Sequence, residues 1–534
     1  MKYKFYGSGN CKVKPLNEEY KSVKDPKTLH KYLSKIWSKE SCAPRYQEEW
    51  SKENMTLGQC SITAFLVQDI FGGEVYGVKL PDGAYHCYNK VEDKVFDLTS
   101  EQFGEEKLIY DLTNPQSREE HFKSEEKYQR YLLLKKGLDE KVKKVDKIKK
   151  YSIAGAVSVS SIIMSVVCLA GGYVGYILLS YYRIGNKPLA VDSRSSLVEV
   201  KTDEVYKALS YNLGFGAYSQ DFTFFLDTGY DDEGKATCGY YSTAKSKSDV
   251  EFNISGALTT AKNSEADFIF FQEVDTNSTR SYHINQDKKV MEQFSDYDHV
   301  FAKNFHSAFL PYPLYDMHGS VNAGLATVSK YKIVSAERRQ YTISDSLSKL
   351  FDLDRCFSVQ QINVNNGKSL YIVNSHMSAY DEGGKIRAKQ IEELNAFLQE
   401  RKDHNDYVLI GGDFNHDLIT YNPSYSYNED SHRAFNMTKK SPDWVNYFFD
   451  KEGKSPLISG YQVIASDNYP TCRNNDIEWE PGKNFVCTID GFIVSDNIEV
   501  ISHENIQTKQ GKKGFDGFAF SDHDPASISF KLLS

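Results

Sequence analysis

The stretch YVLIGGDFNHD, residues 407–417, is an apolar run of strand length that stops on Asp413, with Asn415 two positions further on. Five other runs share its form: VYKALSYNL (205–213), DFIFFQE (267–273), GLATVS (324–329), LYIVNSH (370–376) and TIDGFIVS (488–495). Each is bounded by polar or glycine residues, as expected for strands buried inside a layered α/β domain. KIRAKQIEELNAFLQE (385–400) adds a helix, with Ile386, Ile391, Leu394 and Leu398 on one stripe and charges opposite.

Polar chemistry gathers at the ends of these runs. Asn212, Glu273, His376, Asp413 with Asn415, Asp490, and Asp522 with His523 all stand at or beside one. A hard cation such as Mg²⁺ needs carboxylate and carbonyl oxygens and keeps several waters, so a Glu with an Asp or two from different strands is a sensible ligand set. A histidine held by a carboxylate can take a proton from water, and amide side chains can hold a phosphate oxygen. Taken singly, Asn212 also reads as a turn former and Asp522 as a cap. Glu273 differs, because an acid behind DFIFF is costly to bury without a cation or hydrogen-bond partners.

With 534 residues, 40% hydrophobic and 13% aromatic, the chain is too long for one core and too apolar for a disordered or low-complexity class. Residues 1–200 carry 31 Lys and Arg against 26 Asp and Glu, whereas from 201 onward the balance is 33 against 47. A C-terminal part near −14 repels a polyanion at long range, so a nucleic-acid or membrane-phosphate substrate must be held by local groups.

No residue from Tyr151 to Tyr182 is charged. As a helix, this segment is long enough to cross a hydrocarbon core of about 30 Å. The Lys-rich run KVKKVDKIKK (141–150) precedes it, and only Arg183 and Lys187 follow closely. The positive-inside rule therefore places the N-terminal region in the cytoplasm and the C-terminal region outside the cell membrane. Tyr173, Tyr176, Tyr181 and Tyr182 suit an interfacial aromatic belt at the exit end. A buried core helix is the alternative. Cys238, Cys356, Cys472 and Cys487 follow the span; outside the cell they allow disulfides, Cys472 with Cys487 being the pair to test first, and inside it four free thiols.

The ordered set SYNLGF, FFQEVD, NSHMSA, IGGDFNHD, TIDGF and SDHDP resembles the endonuclease/exonuclease/phosphatase superfamily, over nearly all of residues 205–534. The resemblance implies a four-layer α/β sandwich of the deoxyribonuclease type and a metal-dependent phosphoric ester hydrolase using Mg²⁺, or Mn²⁺ or Ca²⁺. It implies that Glu273 is the principal metal ligand with Asn212 beside it, and that Asp522 is a further ligand or orients its neighbour. Asp413 would orient the attacking water or the metal, and Asn415 would bind a phosphate oxygen. His523, with Asp490 as its carboxylate partner, would deprotonate water or stabilise the phosphorane. His376 would contact the phosphate and protonate the leaving group. Substrate is left open between nucleic acid and phospholipid head group. The aromatic-rich segments GFGAYSQDFTFF (214–225), NFHSAFLPYPLYDMHGSVNAGLATVS (304–329) and ITYNPSYSYNEDSHRAF (419–435) are expected as loops around the rim, stacking bases, meeting acyl chains or simply packing.

Residues 1–125 read as a small α+β domain. Cys60 opens an apolar helix that Gly72 and Gly73 end, and His86 and Asp97 follow in strand-like runs. The order Cys, His, Asp resembles the papain and transglutaminase-like arrangement, and also a group of small bacterial proteins with a GQC…HYWN…DLT pattern. Here Cys87 and Tyr88 follow His86 in place of the usual tyrosine and tryptophan. The functional reading makes Cys60 a nucleophile, His86 its base, Asp97 the orienter and Gln59 an oxyanion donor of a cysteine hydrolase or transferase; the alternative is a buried structural thiol beside a core histidine.

The expected architecture is thus α+β: a domain at 1–125, an exposed charged helical linker at 126–150, one transmembrane helix at 151–182, and a hydrolase domain at 201–534. The expected activity is hydrolysis of a phosphodiester or phosphomonoester by metal- and histidine-assisted water attack. The alternative is a catalytically silent phosphate- or lipid-binding module. No protein partner follows from the sequence.

Overall fold

The computed structural model describes residues 5–350, 353–379, 385–425 and 441–534. It divides into two compact units, Met1–Leu169 and Ala170–Ser534.

In the first unit the helix Cys60–Phe71 packs on a three-stranded antiparallel sheet, Glu74–Lys79, Tyr85–Val91 and Lys94–Phe96. Ile62, Phe65, Leu66 and Phe96 are fully buried with Leu29 and Leu33 of the helix Pro26–Leu33. Gly72 ends the central helix at φ 76°, a left-handed conformation that costs glycine nothing.

Residues 126–150 do not form a free-standing linker. They belong to one 56-residue helix, Glu125–Ser180, and Tyr131, Leu134, Leu138 and Val142 bury their side chains in the first unit's core. Their spacing at three and four residues puts an apolar stripe on one face, while the lysines occupy the other. Further along, Ser158–Ser180 is long and apolar enough to cross a membrane, with mean hydropathy 2.2 and almost no burial.

The second unit rests on two seven-stranded sheets. The first has the order Ile498–Asn505, Ala526–Leu532, Val205–Asn212, Phe268–Asp275, Gly319–Ser329, Asp298–Leu310, Val191–Asp192. The second has the order Tyr461–Ile464, Asp490–Ser495, Tyr407–Asp413, Ser369–His376, Cys356–Asn363, Ile333–Gln340, Lys187–Pro188. The short edge strands at 187–192 belong to these sheets, so the domain starts before residue 201.

The strands alternate between two cores. Phe268 and Phe270 point inward and pack with Ile372 and Leu409 of the other sheet, while Ile269 and Phe271 point outward against Ile254 and Leu258 of the helix Lys247–Asn263. Val408 and Ile410 likewise meet Leu394 and Leu398 of the helix Lys385–Asp403. The result is a helix, sheet, sheet, helix stack, which is why these strands read as unbroken apolar runs. At Gly411 the sheets come so close that a Cβ would lie 2.4 Å from the Phe270 ring.

In each sheet the central pair is parallel, Val205–Asn212 with Phe268–Asp275 and Ser369–His376 with Tyr407–Asp413. Parallel neighbours deliver their C-terminal residues to the same edge. His376, Asp413 and Asp490 stand in one row, because His376 pairs with Asp413 and Asp413 with Asp490 at the start of an antiparallel strand.

Of the three aromatic-rich segments, 304–329 is mostly hairpin strand, and only 311–318 is loop. Phe215 and Phe222 of 214–225 are core residues. Residues 426–435 lie outside the described residues.

Candidate active site

The strand ends surround a cavity of about 780 Å³ lined by Glu273, His376, Asp413, Asn415, Asp522 and His523, together with apolar side chains towards its mouth. Two cross-sheet contacts floor it. Asn212 donates its amide to Asp413 Oδ2 at 3.0 Å, and below it Gln272 donates to Asn374 Oδ1 at 2.8 Å. These bonds fix the two sheets in register where the chemistry sits.

Glu273 reaches the cavity through a bulge. Gln272 and Glu273 together oppose Leu325, between the pairs Phe271–Ala326 and Val274–Gly324, and Glu273 has φ 54°. A bulge re-aims one side chain, and a non-glycine residue held in the left-handed region marks strain retained at a functional position. Burial pushes the Glu273 carboxyl up, Arg280 pulls it down and Asp522 pushes it up again. Arg280 is itself clamped by Asp275 at 2.9 and 3.2 Å and stacks on Phe215 at 3.8 Å.

His523 Nδ1 lies 2.7 Å from Asp490 Oδ2, and its Nε2 faces Asp413 Oδ2 at 3.9 Å. Burial alone would depress this imidazole; the carboxylate of Asp490 outweighs it and holds His523 well above the usual histidine range. His376 also turns its Nε2 to Asp413, at 3.4 Å, but burial, Arg355 and the His523 charge keep it neutral. Its Nδ1 has no partner. The Asp413 carboxyl is pushed up to about 7 by burial and by Asp490. Asp413 Oδ1 accepts the Asn415 N–H at 2.9 Å, and the Asn415 side chain spends one N–H on the Met377 carbonyl, at 2.9 Å.

Asp522 is oriented by Asn475, which donates to Oδ2 at 3.0 Å, and Asn212 Oδ1 accepts the Gly214 N–H at 2.9 Å. Among the described residues, the ligand atoms of Asp413, Asp490 and His523 all fall within 4.8 Å of one another. Six of the eight expected positions line this cavity, and the other two, Asn212 and Asp490, are hydrogen-bonded to Asp413 and His523, which do.

Sequence reasoning missed two cations. Arg355 and Arg473 line the cavity, each at most 4% exposed, and the Nε and Nη1 of both lack a hydrogen-bond partner. Buried guanidinium donors are rarely left unsatisfied; these are placed to meet an anion. Arg355 stands just before the strand Cys356–Asn363 in DLDRCF and Arg473 in the two-residue strand Cys472–Arg473 of TCRNND, positions that no periodicity marks.

Cys472 and Cys487 face each other across a two-stranded ladder beside His523, and all nine cysteines stand as free thiols.

One pH effect follows from Asp413. A carboxyl raised from about 3.8 to about 7 in the folded state contributes stability that is full below the lower value and lost as pH rises through the upper. Asp413→Asn is therefore expected to stabilise the chelated C-terminal unit at pH 8 relative to wild type, with little gain at pH 4. Thermal melts in chelator at both pH values test this; equal shifts at both would contradict it.

Comparison with known proteins divides the chain in the same places. Residues 250–523 match the Endonuclease/Exonuclease/phosphatase family and residues 25–143 match the YunG protein family. YunG of Bacillus subtilis (strain 168), an uncharacterized protein, is 39% identical over 99 residues, 18% of this chain and 79% of that protein. Among solved structures, ANGEL2, described as a 2',3'-cyclic phosphatase, aligns at TM-score 0.39 and 12% identity over 65% of this chain and 99% of that one. The human Nocturnin catalytic domain aligns at 0.36 and 15%, over 65% and 99%. TDP2 from Caenorhabditis elegans aligns at 0.37 and 12%, over 62% and 75%.

Proposed function

Because this chain belongs to the endonuclease/exonuclease/phosphatase family through residues 250–523 and to the YunG family through residues 25–143, we propose that its larger unit hydrolyses a phosphate ester, and that the substrate is a membrane lipid bearing a phosphodiester head group. The observation carrying the hydrolase reading is the meeting of the Asp490–His523 pair with two buried guanidiniums, each with its Nε and Nη1 unpartnered, in one cavity.

The donor set suits a hard divalent ion. It is rich in carboxylate oxygens, and Asp490 Oδ1 is buried without a partner. Glu273 and Asp522, with Asn212, would hold such an ion, which when bound would polarise a phosphoryl oxygen and acidify a water. Arg355 and Arg473 would bind the phosphoryl oxygens, with the second N–H of Asn415 as a further donor. Asp490 fixes His523 so that Nε2 and Asp413 flank one position. A water there is oriented by both groups and gives its proton to the Asp413 carboxylate, while the His523 imidazole, already charged, stabilises the phosphoryl group. His376, neutral and adjacent, is placed to serve the leaving oxygen.

The lipid reading rests on the mouth of the cavity. Phe225, Leu310 and Tyr312 line it, and the hairpin tip leaves Tyr312, Leu314, Tyr315 and Met317 exposed, Leu314 by 77%. The end of the apolar helix attaches to this hairpin, where Tyr173 donates to the Phe309 carbonyl at 2.9 Å and the Phe309 N–H donates to Tyr176 at 3.2 Å. A contiguous exposed apolar tip beside a membrane-length helix fits a bilayer interface. The acidic surface disfavours a polyanion. The lysine run at 141–150 supports a cytoplasmic N-terminus and an external hydrolase.

The test compares wild type with a Leu314→Ser, Tyr315→Ser, Met317→Ser variant on sphingomyelin-containing vesicles, on single-stranded DNA and on soluble bis(p-nitrophenyl) phosphate. Loss of at least about tenfold on vesicles, from the apolar area removed, with the soluble ester unaffected, is expected. Faster turnover of DNA than of any vesicle, unchanged in the variant, would assign the site to nucleic acid.

A further inference from the structure

The first unit brings a second set of reactive groups together. Cys60 is the first residue of the helix Cys60–Phe71, and His86 lies on the strand against which that helix packs. His86 Nε2 lies 2.6 Å from Asp97 Oδ2, and both residues are almost wholly buried. Asp97 is held in turn: Oδ1 accepts the Thr99 N–H at 2.9 Å and its hydroxyl at 3.0 Å, and Oδ2 accepts the Tyr110 hydroxyl at 2.9 Å. Phe103 packs edge-on to the imidazole at 4.7 Å. With Nε2 committed to Asp97, Nδ1 is the ring atom turned away from that pair, with Gln102 Nε2 at 3.4 Å, and the Cys60 sulfur stands close enough to interact with the ring. Cys60 as a residue is partly exposed while its two supports are fully buried.

A hydrophobic core has no use for this arrangement. A buried His–Asp pair carries a desolvation cost that apolar residues of the same volume avoid. Aimed at a thiol on the first turn of a helix, where free backbone N–H groups favour negative charge, it does what a nucleophile requires.

We propose that Cys60, His86 and Asp97 form a second catalytic centre, a thiol acyl-transfer site acting on the carbonyl of an amide or ester. The Cys60 sulfur attacks the carbonyl carbon, forming a C–S bond. His86 gives its proton to the departing amine or alcohol as the C–N or C–O bond breaks. Water, losing a proton to the now neutral His86, then attacks the thioester carbon and releases the acid and the thiolate. No electrons are exchanged with a co-reactant.

The local charges agree. The Cys87 hydrogen bond and the His86 charge pull Cys60 well below the usual thiol range against its burial. His86, depressed by burial, is nevertheless pushed up to about 10 by Asp97 and Cys60. The other titratable groups around the sulfur are Cys42, raised to about 11, Cys87, also raised, and His121, held at about 4 by burial; Lys127 stands beside Cys87. Cys87, where the related pattern has tyrosine, is thus an S–H donor to the thiolate. Gln59 spends one amide N–H on the Ser38 carbonyl at 2.9 Å and keeps the second; the first-turn N–H groups of the helix, which lack intrahelical acceptors, are further donors for an oxyanion.

The experiment uses the full chain in detergent. Iodoacetamide labelling at pH 6, read by mass spectrometry, compares Cys60 with the exposed Cys238, which serves as the reference thiol. An ordinary thiol is only about 0.3% ionised at that pH, so Cys60 is expected to react at least about tenfold faster, allowing for the weaker nucleophilicity of an acidic thiol. His86→Gln, with circular dichroism confirming the fold, is expected to remove the difference. p-Nitrophenyl acetate is expected to acetylate Cys60, and the adduct to clear in wild type but persist in Asp97→Asn. Cys60 labelling no faster than Cys238, or equally fast in His86→Gln, overturns the proposal, as does an acetyl group that wild type never releases. None of these readouts depends on the phosphate site.

Discussion

His523→Ala is expected to lower the turnover of bis(p-nitrophenyl) phosphate by about 10²–10⁴-fold, the range for losing a positioned acid–base group, with KM little changed. The reasoning is geometric. Asp490 fixes one ring nitrogen at 2.7 Å and leaves the other facing Asp413, so the alanine would remove the group proposed to meet the reacting centre but not the Arg355 and Arg473 donors proposed to hold the phosphate. The substitution also leaves Asp490 buried without its partner, and a drop in stability is expected alongside. His523→Gln restores a donor to Asp490 without a titratable nitrogen, and should recover the fold without the rate. If wild type and both variants bind phosphate equally and none hydrolyses the ester, the site is a silent binding module. If His523→Ala hydrolyses at the wild-type rate, the role proposed for this pair is wrong.

Glu273→Gln should separate catalysis from stability. Gln keeps the volume and the hydrogen-bonding capacity of the side chain but removes the charge that burial disfavours, whose carboxyl already stands above its ordinary range. Loss of activity by a factor on the order of 10² or more is expected, as for removal of one electrostatic stabiliser, together with weaker Mg²⁺ or Mn²⁺ binding by calorimetry. In chelator, the same variant should melt higher than wild type above pH 6, since it no longer buries a carboxylate. A variant that loses stability as well as activity would show Glu273 to be structural.

Much of the fold could be read from the chain because the decisive strands are buried on both faces. DFIFF must be apolar throughout when Phe270 enters one core and Phe271 another. The site was legible for a related reason: polar residues ending such runs have only the sheet edge to occupy, and parallel neighbours bring those ends together. What escaped was whatever depends on distant partners. The bulge at Glu273 exists only against Leu325. Arg355 comes from an irregular stretch and Arg473 from a two-residue strand far along the chain, and they meet only at the cavity. The long charged helix looked solvated along its whole length, although its Tyr131, Leu134 and Leu138 face is closed by residues a hundred positions earlier. Glycine and aromatic content drew the 304–329 segment as loop, where cross-strand pairing makes it a hairpin.

The passage from the apolar helix into the larger unit has no slack. Two residues beyond Tyr181, Arg183 pairs with Asp354 and donates to the Tyr341 carbonyl, and Arg338 donates to the carbonyls of Ile184 and Gly185. If the apolar helix spans a bilayer as proposed, an enzyme anchored without a stalk would search a plane rather than the bulk solution. Its rate on a lipid should then follow the mole fraction of that lipid in the surface rather than the total amount present. Diluting the lipid within the bilayer should slow it, while diluting the vesicles should not.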